Sequence, residues 1–382
     1  MLALSGRHGR AVAPDRPRAD TFGTFGAPGE WLKPRTTNRS TVIVDARVFE
    51  EDFVPREVVH RHREVEQLTG TLEPVLDGER PDPAFLFGPT GVGKTCIARY
   101  ALEELCERDP AIRTVYVNCW QRYTRFQVLY AVLEATGRAA DVHRTTAKDE
   151  IFERLQAANE RPTVVVLDEV DQLQETAALY DLHRLEHLAF VLIANREDEL
   201  FAGLDDRVTS RFRAGERIPF DRYGTAALVD ILEGRAQRGL EPGAVGDAQL
   251  EAIAEAAGGD ARVAIGILHS AARRAQREGV DRVTGALLEG AIPEARTAIH
   301  RTTVEDLHEH QRALYDIVAE TGEIAPGDLY DAYEDRVDRP KSKRTLRNYL
   351  NKMVHYDLIE AIGEKRGRTY RVPEGIELAP EA

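Results

Sequence analysis

Lysine is nearly missing from this chain: 7 lysines stand against 44 arginines in 382 residues, and Asp and Glu together number 65. The formal charge is −14. A lysine-poor, acid-rich surface stays hydrated at high ionic strength, as expected of a protein working in concentrated salt; a GC-rich genome also favours arginine over lysine. The acid excess argues against wholesale adhesion to nucleic acid, but it describes an average surface and leaves room for a local basic patch. Cysteine is scarce as well. Cys96, Cys106 and Cys119 give neither a disulfide framework nor metal-ligand spacing, which suits a reducing compartment. No apolar run approaches the ~18 residues of a membrane span. The first residues lack the apolar stretch of a secretory signal, so the expected location is the cytoplasm.

The chain is long enough for more than one core. Residues 1–40 are rich in Gly, Pro, Arg and Thr without periodicity, and are expected to be a disordered extension. Over 41–220, strand-like runs at 84–87, 114–117, 163–167 and 190–194 alternate with helical patterns. Near-continuous β-branched runs of this kind predict a parallel sheet covered by helices on both faces. From 221 to 298 alanine-rich amphipathic helices take over, such as 249–257 and 262–278, with Gly258-Gly259 and Gly279 as stops. That shift predicts an all-helical domain. Residues 299–382 read as a third, smaller unit: a helix, a turn at Pro326, a helix, a helix over 342–356 and a closing stretch 362–372.

The most informative segment is Gly88-Pro89-Thr90-Gly91-Val92-Gly93-Lys94-Thr95, between the apolar run Ala84–Phe87 and a helical pattern from Cys96. Strand, glycine-rich loop and helix are the context a phosphate-binding P-loop requires. Glycines let backbone N–H groups turn inward around a di- or triphosphate, and the helix N-terminus adds a positive dipole end. Lys94 would reach the β- and γ-phosphates, and the Thr95 hydroxyl would take a position on Mg²⁺. About 75 residues further on, Val164–Leu167 runs into Asp168-Glu169. Acids at the carboxyl end of a parallel strand sit where such sheets bind ligands. Asp168 would hold Mg²⁺ through water and Glu169 would deprotonate an attacking water; alone, the pair would also serve as a helix N-cap.

Asn195 ends the run 190–194, placed either to orient that water or to start a turn. Arg207 and Arg211 would meet a neighbouring copy's nucleotide in trans, or else are surface arginines paired with acids. Gly259-Asp260-Ala261-Arg262 opens a helix from which Arg262 would reach a γ-phosphate. His183-Arg184-Leu185-Glu186-His187 fits an inverted zinc-protease string, a pattern common by chance and here flanked by apolar residues that suit a sheet-covering helix.

Against the acidic average, 339–371 holds ten basic residues and three acids. Within it Leu346, Tyr349, Leu350, Met353 and Val354 share one helical face, and Lys343, Arg344, Arg347, Asn348, Asn351 and Lys352 the other. A basic face carrying Asn supplies point charges for phosphates and bidentate groups for base edges in a major groove, and otherwise is a solvated surface. Lys365-Arg366-Gly367-Arg368 would form the tip of the following hairpin, as the wing of a winged helix.

These motifs in this order resemble the archaeal origin-recognition and helicase-loading initiators, the Orc/Cdc-type clade of AAA+ ATPases, over about 42–372. Phe53-Val54-Pro55 with His60-Arg61 resembles the clade's adenine-side entry motif, and Asp168–Leu173 its extended Walker B. Cys119–Leu129 resembles its helical insertion, with Arg122 and Arg125 towards DNA, and Gly259–Arg262 its sensor 2. The resemblance implies an α/β AAA+ P-loop domain, an all-α lid and a C-terminal winged helix. It implies ATP/ADP and Mg²⁺ as cofactors, with Val54, Pro55, Thr90–Thr95 and Tyr223 around the nucleotide. Duplex origin DNA, the replicative helicase and further copies of the chain are the implied partners, with slow ATP turnover as a timer. A nucleotide-gated regulator of transcription or plasmid maintenance would use the same parts. Two departures stand out: His62 where the clade usually has Glu, and the ending Ser210-Arg211-Phe212, closer to clamp-loader relatives.

Overall fold

The computed structural model describes residues 41–158, 161–204, 206–363 and 367–376, apart from the side chains of Glu199 and of 202–203 and 206–208. The expected extension 1–40 lies outside them. The first body is a five-stranded parallel sheet in the order β2-β3-β4-β1-β5, made of β1 (Ala84–Phe87), β2 (Arg113–Asn118), β3 (Thr163–Asp168), β4 (Leu188–Ala194) and β5 (Glu216–Pro219). Alternation along β3 sorts the covering helices. Val164 and Val166 pack with α1 (His62–Leu72) and α2 (Lys94–Arg108). Val165 and Leu167 pack with α3 (Arg125–Ala135), α4 (Lys148–Ala157) and α5 (Ala177–His183). Because both faces are buried, β3 and β4 read as unbroken apolar runs. The sequence reading did not find β5, an edge strand in which only Ile218 is buried. Two short helices, α6 (Glu197–Gly203) and α7 (Asp206–Phe212), lead into it.

The helical part consists of α8 (Thr225–Gly239), α9 (Asp247–Ala257), α10 (Ala261–Glu278) and α11 (Gly285–Glu305). Its core is small: Ala264, Ala271, Ala272 and Ala275 of α10 are fully buried, which lets α10 and α11 approach closely. Val42 and Phe49 belong to this core, and Val44 N donates to Gly239 O at 2.8 Å, so the entering segment joins the helices and not the sheet. No break occurs at the expected 298/299 junction. Helix α11 runs through it, with Ala295 in the helical core and Val304 in the next.

The third part is α12 (Glu309–Thr321), β6 (Glu323–Ile324), α13 (Pro326–Arg336), α14 (Lys343–His355), β7 (Glu360–Ile362) and β8 (Thr369–Arg371). The antiparallel order β6-β8-β7 beside three helices is the arrangement of a winged helix. Trp120, from the sheet domain, is buried in this third core and meets the Tyr356 ring edge-on at 5.0 Å.

Candidate functional site

The carboxyl ends of β1, β3 and β4 meet at one point. After β1 the chain turns through Gly91 (φ 73°) and Gly93 (φ 91°), left-handed conformations that strain any residue with a Cβ, and enters α2 at Lys94. The Lys94 ammonium donates to Gly88 O (2.6 Å), Pro89 O (2.7 Å) and Asn195 Oδ1 (3.0 Å). Burial pulls its pKa down to about 8, against the opposing pull of Asp168, Glu169 and Asp171. Thr95 Oγ1 donates to Asp168 Oδ2 at 2.7 Å, and Tyr116 Oη donates to the same oxygen at 2.7 Å. Tyr116 went unnoticed in the sequence because its position on β2 is that of an ordinary outward-facing residue. Burial and the Asp168 charge raise its phenol pKa, and the Arg99 guanidinium lies 4.5 Å above the ring.

Glu169 follows with φ 53°, a left-handed position uncommon for a residue with a side chain. Burial holds its carboxyl well above the usual range; Asp168 and Asp171 add to this, while Arg262 and Lys94 oppose it. Glu169 Oε2, Asn195 Nδ2 and Arg262 Nε are buried without hydrogen-bond partners. Those atoms, the Lys94 ammonium, the glycine turn and the adjoining Thr95 and Asp168 oxygens make a donor and acceptor set suited to a magnesium-bound triphosphate. The residues fit the group.

The cleft holds about 830 Å³, within the range of nucleotide-sized sites, and is lined by Thr90–Thr95, Pro55, Tyr223, Asp168, Glu169, Asn195 and Arg262. Val54 differs from expectation, lining a neighbouring cavity with Phe53 and Arg56. Tyr223 is fixed by the buried Arg61, whose guanidinium lies 4.2 Å from its ring centre and also donates to Asp221 O. The helical part docks directly on the P-loop, Ala261 N donating to Gly91 O at 2.8 Å, so Arg262 faces the cleft from the first turn of α10.

On the winged helix, Lys343, Arg344, Arg347, Asn348 and Asn351 are exposed along α14, and Leu346, Tyr349, Leu350 and Met353 are buried beneath them. Lys352 departs from this face: its ammonium donates to Asp171 O in the sheet domain. Arg368 is exposed after the hairpin tip, and Arg366 lies outside the described residues. Arg122 is half-buried, its guanidinium 3.4 Å from Glu134. Arg125 departs from expectation. It is the countercharge of the buried Asp181 and also reaches Asp149 at 3.4 Å, so its guanidinium is engaged by two carboxylates of the sheet domain. Arg211 is exposed and stacks over Tyr180 at 5.0 Å, away from the chain's own cleft; the Arg207 side chain lies outside the described residues. The inverted zinc string does not form one helix face. Helix α5 ends at His183, whose ring stacks on Phe190, and no cluster of potential metal ligands occurs among the described residues. No helix among them is long and apolar enough to cross a membrane.

Sheet order, P-loop, paired acids and docked helical lid define a AAA+ nucleotide-binding protein. Residues 57–193 match the AAA ATPase domain family, and 229–292 match the Cdc6 AAA+ ATPase-type lid domain. The ORC1-type DNA replication protein 9 of Halobacterium salinarum is 46% identical over 330 residues, 86% of this chain and 93% of that protein. The ORC1-type DNA replication protein 1 of the same organism is 49% identical over 308 residues, 80% of this chain and 100% of that protein. Among solved structures, the Aeropyrum pernix ORC1 protein in complex with DNA superposes with a TM-score of 0.71 at 27% identity, covering 88% of this chain and 95% of that one. The chain belongs to the ORC1-type DNA replication proteins of the Orc/Cdc6 family.

Proposed function

We propose that this chain is an ATP-dependent DNA-binding initiator that recognises replication origins and helps recruit the replicative helicase, with slow hydrolysis serving as a switch. One observation carries the reading: the nucleotide cleft and the duplex-facing helix belong to one packed body, Lys352 of α14 bonding the turn that follows Glu169. In this reading Lys94 neutralises the β- and γ-phosphates, Thr95 and Asp168 hold Mg²⁺, and Asn195 orients the water from which Glu169 takes a proton. The bound magnesium nucleotide supplies the bond to be broken and the charge that Arg262 senses from the lid. Arg207 or Arg211 would meet the nucleotide of a neighbouring copy assembled on DNA.

Arg347 and Asn351 would read base edges, while Arg344, Asn348, Lys343, Arg366 and Arg368 grip phosphates. Arg122 would add a contact from the sheet domain. That the related ORC1 of Aeropyrum pernix has been solved in complex with DNA supports DNA as the partner. The test is to map genomic sites bound by the protein against replication start points, and to ask whether the replicative helicase co-purifies. Sites clustered at promoters, with no helicase recovered, would make the chain a nucleotide-gated transcriptional regulator instead.

A further inference from the structure

Helix α14 has two ends in different surroundings. Its first three turns expose Lys343, Arg344, Arg347, Asn348 and Asn351. Its other face, towards the C-terminus, packs against the sheet domain, where Tyr349 Oη accepts from Gln174 Nε2 at 3.1 Å and the Lys352 ammonium donates to Asp171 O. Just beyond, Tyr356 is buried against Trp120 and lines the nucleotide cleft together with Asp168, Glu169 and Arg262.

The acceptor Asp171 is in the middle of the short 3-10 turn Val170–Gln172, and that turn starts from Glu169 in its left-handed conformation. A left-handed Glu persists only where its surroundings over-determine it. The turn's own backbone bonds are Gln172 N to Glu169 O (2.9 Å) and Leu173 N to Val170 O (3.2 Å), while Gln174 N reaches across to Tyr123 O (2.9 Å). Lys352 supplies the one side-chain donor from the winged helix that reaches this turn's backbone among the described hydrogen bonds.

We propose that Lys352, with Tyr356 packed behind it, is a positioning residue for the water-activating carboxylate, so that the helix facing the duplex also sets the geometry of Glu169. This rests on the reading of Glu169 as the hydrolytic base and of α14 as the duplex-facing helix. When α14 is docked, its last turn clamps the Walker B turn; a duplex that draws α14 outward loosens the clamp and changes turnover, without any residue of α14 touching nucleotide. The link is a chain of direct contacts between two elements.

The test compares the full-length parent with Lys352→Met, which keeps the stem and loses the donors, and Lys352→Arg, which restores a donor. ATP affinity, steady-state turnover with and without saturating duplex, and hydrogen exchange across 169–173 without nucleotide are measured. The expected result for Lys352→Met is unchanged ATP affinity, turnover lowered on the order of tenfold, faster exchange at 169–173 and no response to duplex; Lys352→Arg recovers most of each. Tyr356→Phe, a milder change, should keep the parent's exchange pattern if packing alone is its role. Parent-like exchange and parent-like duplex response in Lys352→Met would overturn the proposal. Undiminished turnover in Glu169→Gln is a separate outcome: it removes the base assignment, while the exchange result still decides whether Lys352 holds the turn.

Discussion

A methyl group added at Gly91 would sit 1.9 Å from Oδ1 of Asp260, the residue that caps α10 by accepting from Val263 N at 2.9 Å. The middle glycine of the P-loop is therefore also the seat of the lid. Gly91→Ala meets two penalties, a left-handed backbone and a clash with a capping carboxylate, and should cost about 1–3 kcal/mol of stability. It should also prise Arg262 from the cleft. Thermal unfolding and nucleotide titration check this; parent-like values for both would mean that the lid is not seated on Gly91 in solution.

Lys94→Ala removes the ammonium shared among Gly88 O, Pro89 O and Asn195 Oδ1, and should abolish nucleotide binding. Glu169→Gln keeps Thr95 and Asp168 in contact at 2.7 Å and should bind nucleotide while hydrolysis fails. Filter binding and phosphate release separate the two. Turnover persisting in Glu169→Gln would take Glu169 out of the chemistry.

Arg262 leaves a buried Nε unpartnered beside the cleft and stands two residues past the Asp260 cap. Arg262→Ala should still bind ATP yet lose the ATP-dependent change in protease sensitivity or DNA footprint, because the lid no longer detects a γ-phosphate. A variant that responds to ATP like the parent would show that the lid senses the nucleotide by another route.

Much of this site was legible in the sequence because its chemistry is local. The P-loop needs eight consecutive residues in a strand–helix context, and Asp168-Glu169 ends an unmistakable apolar strand. What sequence could not supply were partnerships made across domains. Lys352 sits on the basic face by helical spacing, yet its stem is long enough to turn towards Asp171 O. Arg125 reads as a free cation until Asp181, 56 residues away, is seen buried against it. Trp120 reads as part of an insertion and instead completes the winged-helix core. The apolar spacing Tyr349, Met353, Tyr356 did carry the signal that α14's buried face continues past its last turn. The expected junction near 298 does not interrupt α11, which accommodates Pro293 and meets no glycine stop between Gly290 and Glu305.

His308 should make the seam between sheet domain and winged helix sensitive to acid. It caps α12, its ring lies 4.9 Å from Tyr123 and 4.8 Å from Tyr349, and burial, with His310, Lys352 and Lys341 adding to it, lowers its pKa to about 4. An unfolded chain takes up this proton near 6.5, whereas the folded chain refuses it until about 4. The contribution is therefore fully present above pH 6.5 and is lost progressively as pH falls towards 4. His308→Asn keeps an N-cap acceptor but has no proton to bind, so its melting temperature should fall less between pH 7 and 4.5 than the parent's. His183 and His300, also lowered by burial, share the acid limb, and so the difference between parent and variant is the quantity to read. Parallel curves would place the acid sensitivity elsewhere.

If the chain reads a duplex as proposed, salt should decide how it does so. Phosphate contacts weaken steeply as salt rises, because a counterion released into more concentrated salt gains less entropy. In concentrated salt the ten basic residues of 339–371 cannot supply most of the affinity by charge alone. Base-edge contacts and DNA shape should then carry a larger share. Arg347 and Asn351 lie exposed one turn apart on α14, spaced for neighbouring base pairs. Arg347→Ala or Asn351→Ala should cost about 1–3 kcal/mol on the cognate site and relax sequence preference. Arg368→Ala should weaken cognate and scrambled duplexes together and flatten the salt slope, as loss of a phosphate contact does. Binding to both duplexes across a salt series distinguishes the two behaviours. Equal losses on both duplexes for the α14 variants would make this helix a phosphate-gripping surface. Arg122, half-buried on the sheet domain while Arg125 is held by Asp181, would then be the first residue to test for base reading.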